Sequence, residues 1–181
     1  VEILGGSLNQ RRATIEGKAS TGKGIYVDGG QLYSSERAVL RGEGSDVGVQ
    51  IRNGGQVAAS HDGYLASGLL DVEGTGRGSS AVGVAIEGSL SANALLANDV
   101  GSLRVAGSTD SSSAHAIYVS AGVGTSPISA ISAQGTPQLT LEALQGSILL
   151  DTSQVIQDDG APGTSGFLIR AGSLTLNNSW L

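Results

Sequence analysis

The chain has 181 residues, enough for one domain with a sizeable core, and nothing in it marks a boundary between two. A net charge of −6 with a pI near 4.7 and scattered basic residues excludes a phosphate-backbone partner, so no nucleic acid is expected. The absence of Cys excludes disulfides, thiolate metal sites and a Cys nucleophile, and no apolar run is long enough for a membrane helix, so no membrane insertion is expected. There is also no Met, which predicts an excised or processed segment with any export signal upstream. With 29 Gly, 3 Pro and only 3% aromatic residues, the core must be thin layers of Val, Ile, Leu and Ala in a chain that turns often and regularly.

In chain order, the dominant element is a strand phrase: a small residue, then apolar, any, apolar, any. Val1-Glu2-Ile3-Leu4-Gly5-Gly6 is an early copy. Full copies follow at Gly24-Ile25-Tyr26-Val27-Asp28, Gly48-Val49-Gln50-Ile51-Arg52, Gly83-Val84-Ala85-Ile86-Glu87, Ala116-Ile117-Tyr118-Val119-Ser120 and Gly166-Phe167-Leu168-Ile169-Arg170. Their starts are separated by 24, 35, 33 and 50 residues, and the last gap has room for two turns of a repeat. A turn and a further apolar residue come next, as in Gly30-Gln31-Leu32, Gly55-Gln56-Val57, Gly88-Ser89-Leu90 and Gly172-Ser173-Leu174. A second strand closes most units: Ala13 to Gly17, Ala38 to Gly42, Leu70 to Gly74 and Leu103 to Gly107. Alternation with period two means β structure, and the Ala/Asn-rich run from Leu90 to Val100 is a poor helix candidate.

Units that cannot bury an apolar face alone must stack on copies of themselves. With no hairpin signal between copies, the expectation is an all-β, right-handed parallel β-helix of about six to seven coils, on the order of 30 Å long. Residues 1–181 form one β-helical domain in this reading, with loop excursions at 58–69 and 123–138, the second continuing loosely to Ser165. Leu139, Leu141 and Ile148-Leu149-Leu150 return the chain to the core. Stacking predicts an outward column of Asp28, Arg52, Glu87, Ser120 and Arg170, and another of Glu16, Arg41, Glu73 and Ala106, with opposite charges adjacent. A β-sandwich would need hairpins and would not explain the in-register copies.

Few motifs carry chemistry. Gly17-Lys18-Ala19-Ser20-Thr21-Gly22-Lys23-Gly24 approaches a phosphate-binding loop, but Gly24 replaces the magnesium-binding hydroxyl and a strand follows where a helix is needed. Arg41-Gly42-Glu43-Gly44-Ser45-Asp46 resembles a single calcium-binding turn, without the stacked copies that complete coordination. No cofactor, metal or catalytic residue is therefore expected. His61, Asp62 and Tyr64, at the tip of the first excursion, are the candidate ligand-contact loop; His115 is distant in sequence and no G-x-S-x-G elbow is present. Asp158-Asp159-Gly160 reads as a turn, and Asn177-Asn178-Ser179 matches a glycosylation sequon. Tyr26 and Tyr118 share a column interrupted by Gln50 and Ala85, which leaves no continuous aromatic platform for a sugar.

The run from Ala13 to Gly30, ATIEGKASTGKGIYVDGG, and that from Gly166 to Leu176, GFLIRAGSLTL, resemble the repeats of filamentous haemagglutinin-like exoproteins, the two-partner-secretion adhesins of Gram-negative bacteria. The resemblance covers most of the chain and is weaker between Val123 and Ser165. It implies an internal, non-catalytic segment of a secreted or cell-surface shaft that passes an outer-membrane transporter and serves adhesion, aggregation or display of a distal effector. The partners it implies are a host-cell receptor, a glycan or a sister-cell surface component, and an isolated fragment would associate end to end. A polysaccharide-acting β-helix enzyme, a lyase or epimerase, is the alternative, which three or more acidic or basic side chains converging in one groove would mark. A trimeric phage-type fibre is the second alternative.

Overall fold

The computed structural model describes residues 1–60, 68–93, 102–120, 130–134, 138–158, 167–179 and 181. The described residues are all-β, as the alternation requires, and contain no helix. The first strands are β1 (Glu2–Leu4), β2 (Ser7–Lys18), β3 (Lys23–Asp28), β4 (Gln31–Gly44), β5 (Val47–Ser60), β6 (Leu69–Gly76), β7 (Val82–Asn93) and β8 (Ser102–Thr109). They are followed by β9 (His115–Ser120), β10 (Ala130–Gln134), β11 (Gln138–Gln145), β12 (Ser147–Asp151), β13 (Gln154–Asp158), β14 (Phe167–Arg170) and β15 (Leu174–Asn177).

Every strand pair is parallel, and the pairs fall into three ladders that the chain visits in rotation. The first ladder contains β1, β3, the first half of β5 and of β7, β9, β12 and β15. The second contains Ser7–Gln10, Gln31–Ser34, Gln56–Ser60, Ser89–Asn93, β10 and β13. The third contains Arg12–Lys18, Arg37–Gly44, β6, β8, β11 and β14. Long strands such as β2 and β5 serve two ladders by bending, and the register slips between Gln10 and Arg12 and between Arg52 and Gln56 mark the bends.

The sheet thus curls, and the inward side chains of all three ladders meet in one hydrophobic cluster. Ile25, Val49, Val84, Ile117 and Ile148 are stacked at 0% exposure in the first ladder, facing Leu32, Leu90 and Ile131 of the second and Leu40, Val72, Val105 and Leu141 of the third. Each such aliphatic side chain contributes about 1.5–3 kcal/mol on leaving water, and aliphatics of similar size stacked in columns fill the interior without aromatic rings.

The Gly that closes each second strand has a steric origin. Gly17, Gly42, Gly74 and Gly107 form one in-register column in the third ladder, where the chain approaches the start of the first. A Cβ on these residues would lie 2.2, 2.0, 2.1 and 2.0 Å from the carbonyl oxygens of Gly24, Gly48, Gly83 and Ala116, respectively. Two backbones cross there with no room for a side chain.

Two positions differ from the sequence reading. Phe167–Arg170 pairs with Leu139–Glu142 in the third ladder, whereas its alternation placed it in the first; Leu174 and Leu176 occupy the first ladder instead, over Ile148 and Leu150. Both ladders use the same apolar-any-apolar phrase, so the pattern alone does not separate them. The 50-residue gap accordingly holds a further strand of the first ladder, β12, which pairs with β9 on one side and β15 on the other. The excursion placed at 58–69 is strand at both ends, Ala58 to Ser60 in β5 and Leu69 in β6, and that placed at 123–138 contains β10; the remainder of each, apart from Gly68 and Gln138, lies outside the described residues.

Candidate functional site

His61, Asp62 and Tyr64 fall within 61–67, outside the described residues, so the candidate loop has no geometry to report. Around Gly17–Gly24, β2 ends at Lys18 and β3 begins at Lys23; no helix N-terminus faces the turn, and the Gly22 N–H is donated to Ser45 Oγ at 2.7 Å. Of the Arg41–Asp46 segment, Arg41–Gly44 ends β4 and only Ser45 and Asp46 turn the chain; Glu43 is engaged by Lys18 at 2.9 Å and Arg77 at 3.4 Å. Among the described residues no group of three or more His, Asp or Glu is arranged to hold a metal. Ser179 of the sequon accepts the Ser153 N–H and donates to the Asn177 carbonyl.

One contact was invisible in the sequence: His115 Nδ1 lies 2.8 Å from Ser147 Oγ, because β12 sits beside β9 in the first ladder. It couples a hydroxyl to an imidazole, but among the described residues no carboxylate hydrogen-bonds the other ring nitrogen to complete a relay.

The outer face of the third ladder is a charge ladder. Glu16, Arg41, Glu73, Ala106, Glu142 and Arg170 are consecutive in register. Arg41 reaches Glu16 at 3.3 Å, and Arg170 reaches Glu142 at 3.4 Å. Arg104, in the adjacent column, contacts Asp71 at 3.0 Å, Glu73 at 3.7 Å and Glu142 at 3.2 Å. Glu16, Lys18, Arg41, Glu43, Glu73 and Thr75 surround an open depression of about 400 Å³.

On the first ladder, Tyr26 is buried although it points outward, because Lys23 Nζ sits 3.7 Å from its ring centroid and the Arg52 guanidinium 5.1 Å from it. Asp28 accepts hydrogen bonds from the Tyr26 hydroxyl, from Asn53 Nδ2 at 2.6 Å and from Arg52 at 3.3 Å. These donors, Tyr26 first and Asn53 next, hold the Asp28 carboxyl below its usual range, while burial and then the bond to Asp28 push the Tyr26 phenol up. Gln50 and Ala85 lie between Tyr26 and Tyr118 in register, so the two rings form no continuous platform.

The second ladder differs from both. From Ser7–Gln10 through Gln31–Ser34, Gln56–Ser60, Ser89–Asn93 and Ala130–Gln134 to Gln154–Gln157 it carries no charged residue, and Asp158 at its far end is the first. Gln56 Oε1 accepts from the Tyr33 hydroxyl at 2.9 Å and from Gln31 Nε2 at 3.5 Å. No protein-family model, curated protein or solved structure matches this chain. Its own three faces, two charged and internally paired and one neutral, are what define its chemistry.

Proposed function

We propose that the chain is a non-catalytic structural and binding segment of a secreted bacterial surface adhesin, built as a right-handed parallel β-helix of about six to seven coils. The observation that carries this reading is the threefold rotation of the chain through in-register parallel ladders around one shared core. Such a stack is rigid along its axis, and its outer charges are mostly spent on one another, as Arg104 shows with its three carboxylates. A surface of this kind suits a shaft that passes an outer-membrane transporter and then presents a host-cell receptor, a glycan or a sister cell with a contact face. The resemblance to filamentous haemagglutinin-like repeats points the same way. The test is binding of the purified, folded chain to host cells and to bacteria of its own kind, with electron microscopy for rod shape; a compact particle that binds neither would overturn the reading.

One observation favours the enzyme alternative. The depression on the third ladder gathers Glu16, Glu43 and Glu73 with Lys18 and Arg41, the convergence that a polysaccharide-acting site requires. Its electrostatics oppose that role, because a general acid needs a raised pKa and Glu43 is held low, by Lys18 first. Glu16 and Glu73 are each ion-paired as well. Cleavage of an acidic or neutral polysaccharide that disappears in Glu43→Gln would reverse this ranking.

A further inference from the structure

We infer that the outer face of the second ladder, centred on Gln31, Tyr33, Gln56, Ala58, Ser89 and Ser91, is a binding surface for an uncharged glycan chain lying along the stack. This rests on the adhesin reading and adds the face and the ligand class. The first and third ladders carry ion pairs on their outer columns, among them Asp28–Arg52, Glu16–Arg41 and Glu142–Arg170. The second ladder carries no charge over five consecutive strands, and none in the sixth before Asp158, which a merely solvated face has no reason to do in a chain of net charge −6.

What replaces charge is a set of amides and hydroxyls that both donate and accept, the complement of sugar hydroxyls. In register, Gln31, Gln56 and Ser89 form one row, while Tyr33, Ala58 and Ser91 form the next. Tyr33 is half-buried and its in-register neighbour is the small Ala58, so one flank of the ring borders a low point in the face. That is where the apolar face of a pyranose would pack. The Tyr33 hydroxyl and Gln31 amide, both directed at Gln56 Oε1, hold the Gln56 amide in one orientation. Successive strands are about 4.8 Å apart along the stack, close to the length of one pyranose residue, so a saccharide chain running parallel to the axis follows these rows and meets one strand's outward side chains at each sugar.

The experiment is a binding screen of the folded 181-residue chain against immobilised neutral, sialylated and sulfated glycans, with cell binding measured in parallel. Neutral glycans should bind and survive added salt, since no charged group takes part. Gln56→Glu and Ser91→Asp should each weaken binding at least about tenfold by placing an unpaired charge against sugar hydroxyls. Arg170→Gln, on the third ladder and away from its depression, should leave it unchanged, and circular dichroism should show all variants folded. Cell binding without neutral-glycan binding, neutral-glycan binding that both face variants retain, or binding that salt abolishes would overturn the inference and leave the adhesin reading standing. Loss of self-association, rather than of glycan binding, in Gln56→Glu would assign the face to a second copy and overturn it too. Binding to neither glycans nor cells would remove both.

Discussion

Tyr26, Asp28, Arg52 and Asn53 show how an outward position becomes structural. The Asp28 carboxylate is ionised in a shell of three donors, and the same kind of shell holds Glu36 through Arg11 and then Arg12, and Glu43 through Lys18. All three carboxyls are lowered in the folded chain, so the unfolded chain binds more protons in acid. Their contribution is therefore fully present above pH ~5, clear of the ordinary carboxylate range, and is lost as pH falls through the lowered folded values. Thermal unfolding should shift downward as the solution is acidified below that point. Tyr26→Phe should raise the Asp28 pKa toward the usual carboxylate value, read by NMR titration, without unfolding the chain. At the glycine column the limit is steric: in Gly74→Ala the new Cβ would meet the Gly83 carbonyl oxygen at 2.1 Å and Val84 Cγ2 at 2.7 Å. A loss of about 3 kcal/mol is expected in denaturant unfolding, whereas Ala143→Gly, one strand further in the same column, should be much milder.

Among the elements, the third ladder depends on Arg104. Replacing it with Gln removes, from β8, the cation shared by Asp71 and Glu73 on β6 at one side and Glu142 on β11 at the other. Its side chain is 34% exposed, so solvent screens the pairs and the expected destabilisation is only about 1 kcal/mol, shrinking as salt is added. The first and third ladders were legible in the sequence because each strand shows two inward aliphatics, such as Val49 with Ile51 or Leu70 with Val72. The second ladder was legible only as a turn with a trailing apolar residue. Five of its six strands bury Leu32, Val57, Leu90, Ile131 or Val155 among Ser, Ala and Gln, and Leu8 in the first is exposed, too little alternation to announce a strand. The neutral face was hidden for the same reason, since it becomes a surface only when six short segments are placed side by side. Arg170 was assigned to the wrong column because only contact with Glu142 reveals its ladder.

For the whole molecule, the outermost strands matter most. Among the described residues β14 and β15 are each paired on one side only, and Leu174 and Leu176, which continue the core column of the first ladder, are 37% and 45% exposed. A parallel edge with apolar residues beside it is a template for another chain. The 181-residue chain should therefore associate with rising concentration in analytical ultracentrifugation, and Leu176→Lys should suppress this without altering the β signal in circular dichroism. Association that Leu176→Lys leaves untouched would place the contact elsewhere.

The parallel pairing also sets a mechanical character. Because the backbone hydrogen bonds of all three ladders point along the stack, tension applied between Val1 and Leu181 loads the outermost strands first and peels them while inner ones remain intact. A unit of 24 residues released in this way lengthens the tether by about 8 nm. Single-molecule extension should give a series of small steps of that order in place of one large rupture, and a molecule that yields strand by strand can absorb a sudden pull while its remaining contacts hold.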